Sequence, residues 1–498
     1  MAVAGQHRRH HRRHRTRSDS TVGIVKAQDL GSTAREADPP EPGMVRIGSG
    51  AGFAGDRLDP ALELAQLGHL DFLVFELLGE RTVANAQKAR LNDPSVGFDP
   101  TLLERIRLTA PHCAANGTRI ITNGGAANPI AAGRAVAGVL DDLGIDMPVG
   151  VVTGDDVLEQ VHATNPLTWE ESLPVDNARG RLVSANAYLG ATGIRRALDE
   201  GARIVITGRV ADPSLYVGAL SHSFSWPDDD TELIGQATVI GHLLECGGQV
   251  TGGYFADPTT KPVAGLDRLG FPYADVAGNG DAIIGKLSGT GGAVTVGTCT
   301  EQLLYEVADP GAYITPDVVA DFTGTVLREV GTDRIAVSGG KGAVAPADLK
   351  VTLGYLGGWE AEGQITYAGP RALGRAQLAA DIVVRRLERI HGFRESELSV
   401  EFIGAGASFR GLSDVADPPE VRLRVAGGAQ SRSRASAIGT EVEALYTNGP
   451  AGGGGARTSV RESLSIKSCS LPRTLTEVSV IHADELIDQE EVPDVREV

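Results

Sequence analysis

One short segment concentrates the side chains that could do chemistry. It runs Gly241-His242-Leu243-Leu244-Glu245-Cys246-Gly247-Gly248-Gln249-Val250-Thr251-Gly252-Gly253 and sets a base, an acid, a thiol and an amide among five glycines. The run from Glu232 to Cys246 reads as a helix, with His242 and Cys246 four apart on one face and Glu245 three from His242. The glycines beyond stop the helix and admit a ligand or another backbone. An imidazole that titrates near neutrality suits His242 as a proton carrier, with Glu245 as the second acid or base. Cys246 is a candidate nucleophile with His242 as its base. A helix end with a buried, inert cysteine fits the same residues. One helix offers too few ligands for a metal, so none is expected.

The elements that would position these groups fall into two textures. Over 45–244, near-continuously apolar runs at 45–48, 71–76, 119–122, 148–153, 182–185 and 203–207 alternate with helical stretches such as 60–67, 101–115, 129–143 and 189–200. Strands of that kind are buried on both faces, so the first half is expected to be α/β, a mostly parallel sheet covered by helices. Asp59-Pro60, Asp99-Pro100, Asn128-Pro129 and Asp212-Pro213 repeat a helix-start signal, a capping side chain followed by proline. Glycine-rich strands are expected at 282–287, 293–298, 334–338, 349–356, 364–367, 400–403, 421–425 and 458–467, with helices at 302–308, 371–390 and 435–445. The second half therefore reads as mixed α+β. The divisions are a disordered basic extension over 1–43, an α/β half over 44–260, an α+β half over 261–482 and an acidic tail over 483–498.

Polar and glycine residues gather where the first-half strands end, the edge at which open parallel sheets bind ligands. Asn123 and Asn186 are candidates to polarise a carbonyl, with turn formation as the rival reading. Arg209 could clamp a carboxylate or phosphate through its fork, or pair with Asp212 to pin the loop. Gly50, Gly52 and Asp56 belong to Gly50-Ala51-Gly52-Phe53-Ala54-Gly55-Asp56, which matches G-x-G-x-x-G with Glu76 21 residues after Gly55. The helix there starts only at Pro60 and Asp56 would oppose a phosphate, so a loop beside substrate is favoured over a dinucleotide site. Lys286 and Arg457 each set a cation beside a flexible glycine run and could hold an anion. Neither run is a P-loop, and no G-x-S-x-G elbow appears.

Bulk composition narrows the classes. The 498 residues carry a net charge of −18, and residues 1–17 hold six Arg, four His and no acid, so the rest is more acidic still. That body argues against nucleic-acid binding. The basic tail reads as an unstructured extension or a start placed too early at Met1, with Met44 the natural one. Four cysteines stand singly without CxxC spacing, which fits a reducing, cytoplasmic setting. No apolar run is long enough for a membrane span.

In combination, several of these segments resemble one family. They are Ser49 to Arg57, Ile121 to Pro129, Ala185-Asn186-Ala187-Tyr188-Leu189-Gly190, Ile206 to Pro213, Gly241 to Gly253, Thr300-Glu301-Gln302-Leu303-Leu304-Tyr305-Glu306 and Asn448-Gly449-Pro450-Ala451-Gly452-Gly453-Gly454. Together, from about Met44 to about Arg473, the chain looks like the acyclic terpene utilisation family, AtuA. The resemblance implies a catabolic role close to branched acyl-CoA thioesters. The expected function is acid–base chemistry of hydratase or lyase type on a carboxylate or acyl-CoA, with no cofactor required and a CoA thioester as a conceivable substrate. The alternative is a non-catalytic acyl-CoA-binding or scaffolding subunit. Longer relatives add a small ferredoxin-like domain with an Arg-Ser-Gly-Asp-Lys-Gly motif. This chain lacks that motif, so a separate small AtuA-like partner is conceivable, and homo-oligomerisation is expected.

Overall fold

A computed structural model describes residues 25–408, 418–482 and 485. The expectations for residues 1–24 and for nearly all of the acidic tail lie outside the described residues. Strands β1 (Val45–Ala51), β2 (Phe72–Phe75), β3 (Arg119–Thr122) and β4 (Val149–Thr153) form with the predicted apolar runs. Helices α1 (Asp59–Leu67), α2 (Glu80–Asn92), α3 (Leu102–Asn116) and α4 (Pro129–Leu143) connect them. Then follow α5 (Leu158–Thr164), β5 (Arg181–Ala187), α6 (Thr192–Asp199), β6 (Ile204–Thr207), α7 (Ser214–Phe224) and α8 (Thr231–Glu245). The parallel centre of the sheet runs β1-β2-β3-β6-β4.

Both faces of that sheet are covered, as near-continuous apolar strands require. On β2, Phe72 and Val74 join one core with Ile194, Leu215 and Ile240. Leu73 and Phe75 join another with Leu64, Ile106 and Val136. Strand alternation thus sends successive side chains to opposite helical layers.

The two halves of the sequence interleave. Strands β7 (Pro272–Val276) and β8 (Ala282–Lys286) extend the first sheet antiparallel from β1. Helix α9 (Val296–Leu304) and the short strands β9 (Tyr313–Ile314) and β10 (Val319–Asp321) come next. Strands β11 (Val326–Gly331) and β12 (Arg334–Ser338) close the sheet's far edge, and β13 (Lys341–Ala343) pairs with β10. The strand expected at 293–298 is instead the start of α9, where Thr295 caps the Thr298 N–H. Its capping preference outweighed the β-branched composition.

Strand β14 (Asp348–Ala368), α10 (Ala372–His391), β15 (Leu398–Ile403), β16 (Glu420–Ala429), α11 (Arg432–Glu443) and β17 (Gly453–Pro472) build a second sheet ordered β15-β16-β14-β17. All its pairs are antiparallel and both helices pack on one face. That β-α-β-β-α-β order is the ferredoxin-like arrangement, here within the chain. Strand β18 (Ser479–His482) returns to pair with β4. Strand β5, expected in the parallel sheet, pairs with β14 instead.

The extension expected to be disordered over 1–43 is corrected for its described part. Ala27 is buried and its N–H donates to Gln66 Oε1. Arg35 N–H donates to the Ser288 carbonyl, Ala37 N–H to that of Leu67, and Arg46 to that of Asp38. Backbone pairing to the body supplies what this segment lacks in apolar content. Among the described residues no helix is long and apolar enough to cross a membrane.

Candidate functional site

A cleft of about 780 Å³ lies where the first-sheet strand ends meet the end of α8. It gathers Gly52, Asp56 and Arg57 after β1, Glu76 and Glu80 after β2, and Arg209 and Asp212 after β6. Helix α8 adds His242, Glu245 and the following Cys246, and the second half adds Tyr305, Glu306, Tyr313 and Lys350. The strand-edge logic thus holds for this group.

Asp230 caps α8 by accepting the Leu233 N–H, and nearly every later residue of the helix is buried. One turn from its end, His242 Nδ1 lies 2.6 Å from Glu245 Oε1, both almost fully buried. The imidazole packs against Tyr313 and Phe322, which also touch each other. Burial pushes His242 down to about 4 and, with the nearby charges of Asp212 and Glu306, Glu245 well above the usual carboxylate range. The pair is therefore a neutral imidazole beside a neutral carboxyl. His242 Nε2 and Glu245 Oε2 have no hydrogen-bond partner.

Cys246 follows the helix end, and burial beside Glu245 drives its thiol far above the ordinary range. A thiolate nucleophile is not what this environment produces.

Arg209 meets partners other than a substrate. Nearly fully buried, it stacks on Tyr188 at 4.0 Å, donates to the Leu78 carbonyl and binds Asp212 Oδ1 at 2.8 Å. The pairing alternative is the geometry found. It also withdraws Asp212 from the capping role suggested by Asp212-Pro213, since its carboxylate turns back to Arg209. The cation more open to the cleft is Lys350, which donates to Glu80 Oε1 at 2.9 Å and lies over Tyr188. The Tyr188 hydroxyl also donates to Glu80. Despite burial, these two donors pull Glu80 down to about 2.

The asparagines expected to polarise a carbonyl are engaged elsewhere and do not line the cleft. Asn123 accepts from Leu77 N–H and donates to Glu76 Oε1 at 3.0 Å. Glu76 Oε1 also accepts the Leu78 N–H, and burial plus the charge of Asp212 raise this carboxyl to about 8. Asn186 donates to Asp155 Oδ2, which also takes the Arg209 N–H and is pushed by burial to about 6. Both asparagines thus orient buried carboxyls, since a fully buried amide must spend its donors locally.

The remaining predicted residues divide. Asp56 lines the cleft, but its carboxylate accepts the Gly52 and Arg57 N–H groups and so closes its own loop. Gly52 is there because a Cβ would strike the backbone of Cys246, and Gly50 because a Cβ would strike the Phe75 ring. Helix α1 begins beyond the loop, which removes the dinucleotide geometry. Lys286 lies outside the cleft, paired with Asp333 and donating to the Thr290 carbonyl. Arg457 is exposed on β17 opposite Gln364, also outside the cleft.

Glu80, Tyr188, Tyr313 and Lys350 are site residues that spacing did not single out. Glu76 was visible only as a strand end and as the acid of a dinucleotide-type spacing, and Lys350 arrives from 270 residues beyond its partner Glu80. Among the described residues no three His, Cys, Asp or Glu side chains are arranged to hold a metal ion. A family model described as acyclic terpene utilisation family protein AtuA matches residues 45–482. No curated protein and no solved structure matches the chain.

Proposed function

The chain belongs to the acyclic terpene utilisation family AtuA, and on that premise we propose that it is an acid–base enzyme of hydratase or lyase type acting on an acyclic terpenoid acid. The observation that carries this reading is the buried His242–Glu245 pair, 2.6 Å apart, both of whose residues line the cleft. Adding water across a double bond conjugated to a carboxyl group needs two proton transfers. One group takes a proton from water as its oxygen attacks the β carbon, and another gives a proton to the α carbon. Glu76, protonated near neutral pH, gives the proton to the α carbon, and the neutral imidazole of His242, held by Glu245, takes the one from water; exchange with solvent resets both. Dehydration runs the same steps backwards. Lys350 holds the substrate's carboxylate.

Charge balance bears on the substrate. With Glu76 and Glu245 protonated, the cleft wall still carries the carboxylates of Asp56, Glu80, Asp212, Glu306 and Asp348 against Arg57, Arg209 and Lys350. That excess disfavours the polyphosphate of a CoA thioester and favours a free acid.

The test is mass spectrometry on a panel of unsaturated and hydroxylated acyclic terpenoid acids in ¹⁸O water. Turnover that incorporates one ¹⁸O is expected, with Glu245→Gln and His242→Gln slower by roughly 10²-fold or more and Cys246→Ala close to parent. Binding without turnover across the panel would replace the enzyme with a binding subunit. A dead Cys246→Ala variant would restore the nucleophile reading.

A further inference from the structure

Among the described residues, four large apolar side chains are more than 60% exposed: Tyr254 at 86%, Val344 at 81%, Ile314 at 68% and Phe53 at 61%. Three of these four, all but Val344, line the one cleft that holds the His242–Glu245 pair. They arrive from separate segments: the loop after β1, the turn beyond α8, and β9. Scattered exposed apolar residues need no account, but their concentration at one opening does.

The backbone adds a second observation. Tyr254 and Glu306 both sit in the left-handed region, at φ of 59° each. A bulky residue there is an outlier, and such strain gathers at ligand clamps. The two strained loops touch, since the ring of Tyr254 meets that of Tyr305 edge-on at 6.0 Å between centroids. A tyrosine both strained and pushed into water, with one edge-on ring contact, gives little to the fold. It is useful where an apolar group arrives to cover it.

We propose that Phe53, Tyr254 and Ile314 form an apolar lip that grips the hydrocarbon chain of an amphipathic acid. The acid's carboxylate lies at Lys350, whose ammonium has three donors and one carboxylate partner, Glu80. The lip selects by chain length, because each methylene that enters it leaves water. This rests on the acid–base reading for the cleft's being the substrate site, but its test needs no turnover.

The experiment is calorimetric titration of the full chain with butanoate, hexanoate, octanoate and decanoate. The parent, the double variant Phe53→Ser/Tyr254→Gly and Lys350→Met are compared. Glycine is chosen at 254 because it keeps the left-handed backbone. In the parent, affinity should rise by about threefold to fourfold per methylene buried. In the double variant the rise should fall below about twofold per methylene. Lys350→Met should weaken all four acids by a similar factor. An undiminished slope in the double variant overturns the lip whatever the turnover assay finds. A collapsed slope with no turnover anywhere upholds the lip and removes the acid–base reading. Failure of the parent to bind any of the four acids overturns the lip. So does concentration-dependent self-association, seen by sedimentation, that the double variant abolishes, because the patch would then be a protein interface.

Discussion

Replacing Glu76 with glutamine should make the protein more stable, and increasingly so as pH rises. Glu76 is 7% exposed. Burial and the charge of Asp212 raise its carboxyl from the ordinary 4.5 to about 8, against opposing hydrogen bonds from Asn123 and Leu78. An acid with a raised value in the fold keeps a proton that the unfolded chain releases. Its stabilising contribution is whole below about pH 4.5 and is lost as pH rises through 8. At about 1.4 kcal/mol per unit, the loss between pH 5.5 and 7.5 is roughly 2–3 kcal/mol and by pH 7.5 totals about 4 kcal/mol. Glutamine keeps the shape and a carbonyl oxygen for the Leu78 and Asn123 donors, but carries no charge. Glu76→Gln should therefore exceed the parent by about 3–4 kcal/mol at pH 7.5 and by only about 1 kcal/mol at pH 5.5. Urea unfolding at a series of pH values measures the difference curve, with equal slopes confirming comparable unfolded states. A variant less stable than the parent at pH 7.5, or a gap that does not change with pH, would refute the reasoning. Either would mean that Arg209 keeps Glu76 ionised in the fold.

Two further outcomes follow from the packing. Arg209→Ala should cost about 2–4 kcal/mol, below the full cost of breaking a buried pair because the Asp212 side chain is 34% exposed and regains some hydration. Arg209→Lys should cost about 1–2 kcal/mol for the lost fork and stacking on Tyr188, and a stability within error of the parent for both variants would show the pair to be dispensable. Deleting residues 1–43 should lower the thermal midpoint by a few degrees, because 25–43 pack on the body through the backbone bonds of Arg35 and Ala37. An unchanged midpoint in differential scanning calorimetry would show that this docking adds no net stability.

The parallel half of the fold was legible because each of its strands is short and apolar and most end at glycine or asparagine, and periodicity reports burial directly. The edge of that sheet was legible for the same reason, and it brought Asp56, Arg209, Asp212 and the end of α8 together. What spacing could not report is which way a polar side chain spends its donors. Asn123, Asn186 and Arg209 sit where a ligand group would be useful, yet each is spent on a neighbour: Glu76, Asp155 and Asp212. Those partners are 3 to 47 residues away in sequence, and only packing selects among them. Strand β5 shows the same limit, since an apolar run does not say which sheet it joins. Lys286 and Arg457 failed differently, because a cation beside glycines is equally a local ion pair or a solvated strand residue.

The cation-bearing wall of the cleft depends on that misassigned strand. Strand β14 pairs over its first part with β5 and over its last part with β16. The Tyr188 N–H, just beyond β5, donates to the Lys350 carbonyl on β14. This bond sets Tyr188 and Lys350 side by side, and Glu80 closes the group by binding both. Arg209 then stacks on the face of Tyr188. The wall therefore exists only when the ferredoxin-like unit has paired its long strand with the first half of the chain. That makes the second half part of the site rather than an appendage. It also accounts for a buried arginine among so many carboxyls: Arg209 compensates the charges that the strand ends bring together, while Lys350, paired with Glu80, and the exposed Arg57 are the cations nearer the opening.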